Sequence, residues 1–134
     1  MNTAMKKLLI IFICLLLTTN CYAKWTKVHE NNDFFEYFEL DSARKKDGLV
    51  YLWSLIDFKK KQTDGTLSIK YYTKYNCEEM KFKVLSIIEY NTNMGKGRNF
   101  KYKKNSFEVS ADTDWVYPLR ESRDLKKLNM ICKI

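Results

Sequence analysis

Histidine, proline and glycine are scarce: one His, one Pro and four Gly in 134 residues. So little Pro and Gly excludes collagen-like and Pro-rich extended architectures, and no Gln, Ser or Pro bias of the kind that keeps chains disordered is present. The lone histidine, His29, sits beside a polar turn and reads as a solvated loop residue, and neither G-x-S-x-G nor H-E-x-x-H occurs. The four cysteines never stand as Cys-x-x-Cys, which removes the usual redox and zinc spacings. The unbroken apolar run at residues 8–17 would rise only about 15 Å as a helix, where a bilayer core needs about 30 Å, so no transmembrane span is expected. What is present is 46% hydrophobic and 15% aromatic residues, with 24 basic side chains against 16 acidic ones. That composition fits one core-forming domain with a basic surface.

Residues 1–23 read as a secretory signal. Lys6 and Lys7 supply the positive start, the apolar run follows, and Cys21-Tyr22-Ala23 closes on a small residue, so cleavage is expected near Ala23. A lipid-attachment site at Cys21 would want Leu at position 18 and a small residue at position 20; Thr18 and Asn20 stand there, and soluble export ranks above lipidation. The expected location is the periplasm, the outer cell surface or the medium. Cleavage takes two lysines and no acidic residue from a formal net charge of +8. It also removes Cys14 and Cys21, leaving Cys77 and Cys132 in an oxidising compartment, where one disulfide is the default. A loop of 55 residues closed in this way is worth about 4 kcal/mol by chain-entropy arithmetic.

Within residues 24–134 the four glycines fall between apolar runs and mark turns. Strands are expected at about 25–28, 34–41, 49–58, 67–77, 80–90 and 99–104, followed by a looser stretch to Trp115. Residues 49–58 are apolar on both sides, as a central strand requires. In 67–77, Ile69, Tyr71, Thr73, Tyr75 and Cys77 share one face, and Ser68, Lys70, Tyr72, Lys74 and Asn76 the other. The next strand repeats the pattern, with Met80, Phe82, Val84 and Ile88 inward and Lys81, Lys83 and Glu89 outward. After Pro118 the period changes: Ser122 can cap a helix whose Leu125, Leu128 and Cys132 form one stripe with Ile131 beside them, while Lys126, Lys127 and Asn129 face solvent. Cys77 and Cys132 both point inward, so the two periodicities together predict an α+β fold: a roughly six-stranded antiparallel sheet with a C-terminal helix bolted across it.

Residues that could carry out chemistry are few. Glu78-Glu79 and Asp112/Asp114 read as solvated carboxylates, and Met94-Gly95-Lys96-Gly97 lacks the spacing of a phosphate loop and reads as a turn. No enzyme, metal site or cofactor is expected. The stronger signal is charge. Lys70, Tyr72, Lys74, Lys81 and Lys83 project from the outer sheet face, and Arg44-Lys45-Lys46, Lys59-Lys60-Lys61 and Lys101, Lys103 and Lys104 add basic loops and edges. Such a surface suits acidic glycans, acidic protein patches or anionic lipid rather than nucleic acid in an exported domain; the competing role of the same lysines is to solubilise the sheet and protect its edges. Trp25, Trp53, Trp115, Phe82 and Tyr75 read as core.

An ordered set of marks runs through this region: Trp25, Phe38-x-x-Asp41-Ser42, Trp53-x-Leu55-x-Asp57-Phe58-Lys59, Ser68-x-Lys70, Cys77, Tyr90-x-x-x-Met94-Gly95-x-Gly97, Trp115-x-x-x-Pro118, Ser122 and Cys132. Together they resemble the surface-adhesin protein E family of small exported bacterial domains, over essentially all of 24–134. The resemblance implies a helix tethered to the concave face of the sheet. It also implies a homodimer at the bacterial surface that binds extracellular matrix or plasma proteins such as vitronectin, laminin and plasminogen, and haem, for which His29, tyrosines or methionines would supply an iron ligand. Two departures stand out: the family's adhesin is lipid-anchored, and the Pro usual after the Asp41 position is Ser42 here.

Overall fold

The computed structural model of the chain describes residues 2, 3, 5–7, 24–97 and 115–134 with their side chains, and 101–104 as backbone. Expectations for the leader (Cys14, Cys21 and Ala23), for Asp112 and Asp114, and for the side chains of Lys101, Lys103 and Lys104 lie outside the described residues. Short polar side chains close the hairpins. Asn31 Oδ1 accepts from the backbone N–H of Asp33 and Phe34, both at 2.9 Å, between β1 (Thr26–Glu30) and β2 (Phe34–Phe38). Asn76 Oδ1 accepts from Glu78 N at 3.1 Å and Glu79 N at 3.0 Å, between β5 (Ser68–Asn76) and β6 (Lys81–Tyr90). Asp47 and Gly48, with φ of 52° and 75°, form the positive-φ turn between β3 (Arg44–Lys46) and β4 (Leu49–Phe58).

The resulting antiparallel sheet runs β1-β2-β4-β5-β6-β7, with β7 at Lys101–Lys104 and β3 pairing β4 beyond the end of β2. β4 is central, as its apolar character on both sides requires. Helix α1 (Arg123–Ile131) starts at Ser122, whose Oγ accepts from Leu125 N at 3.2 Å. Leu128 and Ile131 pack with Phe38, Val50, Leu52 and Tyr75 as the buried core, and Cys77 and Cys132 lie beside it. Cys77 and Cys132 form the disulfide, with Cα atoms 5.6 Å apart. Among the described residues no helix is long and apolar enough to cross a membrane.

Four expectations are corrected. The second strand stops at Phe38 rather than near Asp41, because the chain turns at Leu40–Ser42, where Ser42 Oγ reaches Glu39 O at 3.0 Å. Arg44-Lys45-Lys46 is a short strand rather than a loop, since the Asp47-Gly48 turn folds it back on β4. His29 lies on β1 opposite Glu36, its ring 5.9 Å from that of Phe34, and not in a loop. In β6, Leu85 is an extra residue: Thr73 faces Val84 but Tyr72 faces Ser86. A one-residue bulge reverses the alternation beyond it. Phe82 and Val84 therefore face the helix as expected, whereas Ile88 sits opposite Lys70 on the other face and Glu89 opposite Ile69.

Burial pushes the phenols of Tyr71, Tyr75 and Tyr90 upward, furthest at Tyr75, where it outweighs the hydrogen bond with Thr73. The fold favours the neutral form, so this contribution is intact below the ordinary value near 10 and is lost as pH rises past it. In alkaline titration the tyrosinate absorbance of these three phenols should appear only together with loss of circular dichroism, above pH 10. Full ionisation of the tyrosines at their ordinary value with the fold retained would contradict the packing described.

Candidate functional site

The face of the sheet away from α1 is a lattice of aromatic rings and lysines, built by strand alternation. On β4, Tyr51 and Trp53 stand opposite Lys74 and Tyr72 of β5. The Tyr72 ring lies 5.0 Å from Trp53 and 6.2 Å from Tyr51, the pairs tilted by 31° and 32°. Val116 pairs with Phe82, Phe82 N donating to Val116 O at 3.0 Å and Val116 N to Phe82 O at 2.8 Å, which sets Trp115 and Tyr117 beside Lys74 of β5 and Lys81 of β6. Lys74 Nζ sits 4.7 Å from the centroid of Trp115, and Lys81 Nζ 4.8 Å from the same ring and 5.7 Å from Tyr117. Lys70 Nζ lies 5.1 Å from Tyr90 and 5.6 Å from Trp25. Each such contact is worth about 0.5–1 kcal/mol where water reaches it. Around Lys70, the residues Trp25, Glu39, Trp53, Ile88 and Tyr90 enclose a cavity of about 250 Å³.

A polar latch fixes Lys70. Asp57 Oδ1 accepts from Met94 N at 2.6 Å and from Asn93 Nδ2 at 3.1 Å. Ser68 Oγ donates to Thr92 O at 2.6 Å and accepts from Gly95 N at 2.8 Å. These bonds clamp the 93–95 turn against the end of the sheet, where Gly95 has φ of 58° and a Cβ would stand 2.3 Å from Lys70 Cε. The marks at Asp57, Ser68, Lys70, Tyr90, Met94 and Gly95 are thus one structural unit. Gly95→Ala should cost about 1–2 kcal/mol for the left-handed backbone alone and also push Lys70 off its rings. Urea unfolding checks this in two backgrounds: Gly95→Ala should cost the backbone and side-chain parts in the native protein, but only the backbone part beside Lys70→Ala, which removes the atoms that a Cβ would meet.

The residues expected to form a basic site divide into two groups. Lys70, Tyr72, Lys74, Lys81 and Lys83 share the face away from the helix, with Lys74 opposite Lys83. Lys59, Lys60 and Lys61 lie beyond β4 at the opposite end of the sheet from Lys74 and Lys81. Lys59 Nζ pairs with Glu30 at 3.0 Å and covers the Phe35 ring at 4.5 Å, while Lys60 and Lys61 are exposed. Together with Lys27, Lys59 holds the Glu30 carboxyl below its usual range. Lys81 is only 8% exposed and donates to Glu79 at 2.7 Å, and that carboxylate holds its ammonium above the ordinary lysine value. Burial lowers the Lys70 ammonium instead. Trp25, Trp53 and Trp115 are corrected from core to this face: one nine-residue helix covers one side of the sheet only. Tyr75 and Phe82 do belong with the core. The missed signal was the alternation itself, since Trp53 is in phase with Tyr51 rather than with buried Leu52.

The arrangement offers ring faces interleaved with ammonium groups, which can stack on flat or C–H-rich surfaces while neutralising anions. The chain matches the family model described as "Surface-adhesin protein E" over residues 25–133. It is similar to two solved structures of Haemophilus influenzae protein E, one a second crystal form and one a selenomethionine form. The first has 14% identity and a TM-score of 0.62, covering 86% of this chain and 91% of that one. The second has 13% identity and a TM-score of 0.60, covering 86% and 90%. No curated protein matches the chain. At these identities the likeness shows the fold, which is the expected antiparallel sheet with its disulfide-tethered C-terminal helix. The family model spans nearly every residue from Trp25 onward, and by that match this chain belongs to the surface-adhesin protein E family.

Proposed function

We propose that this chain is an exported, non-enzymatic, adhesin-like binding domain whose ring-and-lysine face engages acidic partners: extracellular matrix or plasma proteins, or acidic glycans. The observation that carries this reading is the placement of Lys70, Lys74 and Lys81 over Trp25, Tyr90, Trp115 and Tyr117. A sulfated or carboxylated glycan carries both halves of the complement, anions for the ammonium groups and sugar C–H faces for the rings. Family membership and the leader read at residues 1–23 support display outside the cytoplasm.

Binding of the purified protein to immobilised heparin, vitronectin and laminin tests it, at physiological salt and again at high salt. Saturable binding lost at high salt is expected, because exposed charge pairs are screened within about 8 Å at physiological ionic strength and about 3 Å at 1 M. Absence of binding to all three would assign the lysines to solubility and the domain to a structural role in the envelope.

A further inference from the structure

On the other side of the sheet, under the first turns of α1, lies a second cavity of about 170 Å³. It is similar in size to the roughly 150 Å³ engineered cavity that takes up benzene, and far larger than one water requires. Ile56, Val84 and Phe82 give it an apolar wall, and Ser54 and Thr73 add hydroxyls. Glu36, on β2, lines it and is 1% exposed. Glu36 Oε1 accepts from Lys127 Nζ at 2.9 Å, but Oε2 accepts no hydrogen bond among the described residues. Arg123 Nε approaches Oε2 only to 3.7 Å, with its guanidinium 5.0 Å over the Phe34 ring. A buried carboxylate oxygen without a donor is costly, so this site is chemically incomplete as it stands.

The charged side chains that line the cavity cancel, Glu36 and Asp124 against Arg123 and Lys127, with Glu89 beyond the lining on the Tyr71 side. A lone cation or anion entering would add an uncompensated charge to a partly enclosed space, whereas a zwitterion adds none. We propose that this cavity binds a small zwitterionic amino compound with a short apolar side chain. Its ammonium donates to Glu36 Oε2, its carboxylate pairs with Arg123 at the rim, and its side chain packs on Ile56, Val84 and Phe82. This site is independent of the lysine face.

The test is an amide NMR titration of the protein, expressed from its full sequence and purified as the cell processes it, with L-valine as probe. Isobutylamine, 3-methylbutanoate and isobutanol serve as comparators that lack the carboxylate, the ammonium or both. Saturable shifts at Glu36, Ser54 and Thr73 with L-valine are expected, with each comparator at least about tenfold weaker. Glu36→Gln should weaken L-valine by about tenfold. Ser54→Leu, which fills the cavity and leaves the Glu36–Lys127 pair untouched, should abolish binding and decides the matter if Glu36→Gln does not fold. No saturable shift with L-valine, equal binding of isobutanol, or native-like binding by Ser54→Leu would each overturn the proposal and leave a water-filled cleft.

Discussion

Replacement of both Cys77 and Cys132 by alanine should lower the unfolding free energy by about 4 kcal/mol, the chain-entropy value for a cross-link spanning 55 residues. That is a large fraction of the 5–15 kcal/mol typical of a domain. The loss is large here because of what the bridge joins. Helix α1 has nine residues, too few for stability in isolation, yet it contributes Leu128 and Ile131 to the core. The disulfide ties its last turn to the end of β5, so that undocking the helix and opening the core become one event. Urea unfolding, with and without a thiol reductant, measures the effect. The reduced native protein and the Cys77→Ala/Cys132→Ala variant should unfold at the same, much lower midpoint. A difference under about 1 kcal/mol from the oxidised protein would show that the helix is held by packing alone.

Lys127→Met should destabilise the fold by about 3 kcal/mol, a loss of the size seen when one partner of a buried ion pair is removed. Glu36 is 1% exposed and Lys127 Nζ, 2.9 Å away, is its nearest cation among the described residues. Arg123, at 3.7 Å and 40% exposed, compensates only in part. The cost arises from a carboxylate left in the interior rather than from the worth of the pair. The double variant Glu36→Met/Lys127→Met should therefore recover most of the stability, two apolar side chains replacing two charges. Denaturant midpoints of the native protein, the single variant and the double variant separate these cases. A double variant as unstable as Lys127→Met would contradict the assignment and place the loss in the packing of α1.

Several of these features were legible in the residues. Cys77 in phase with Tyr75 and Cys132 in phase with Leu128 locate the helix over the sheet before any coordinates, and the two-sided apolar character of residues 49–58 places β4 at the centre. Four features were not. The bulge at Leu85 has no residue signature, since Leu suits either phase, so the shift of Ile88 to the other face follows only from pairing with β5. Lys127 reads as solvent-facing because a charge on a helix usually is; that it reaches a carboxylate on β2, 91 positions away, is a tertiary fact. Trp25, Trp53 and Trp115 read as core because large rings usually are, and only the number of covering layers reveals otherwise. The Met94-Gly95 turn was readable, but its acceptors Asp57 and Ser68 were not, because each sits on a different strand.

The ring-and-lysine face is tested most directly by comparing heparin binding of the native protein with two sets of substitutions that keep the long side-chain stems. One set changes Lys70, Lys74, Lys81 and Lys83 to Gln; the other changes Lys60 and Lys61 to Gln at the far end of the sheet. With unfolding midpoints measured alongside, the first set should weaken binding by about tenfold or more, at about 0.5 kcal/mol for each lysine–anion pair lost, and the second by little. Native-like binding by the first set, or loss of binding in the second alone, would contradict the account.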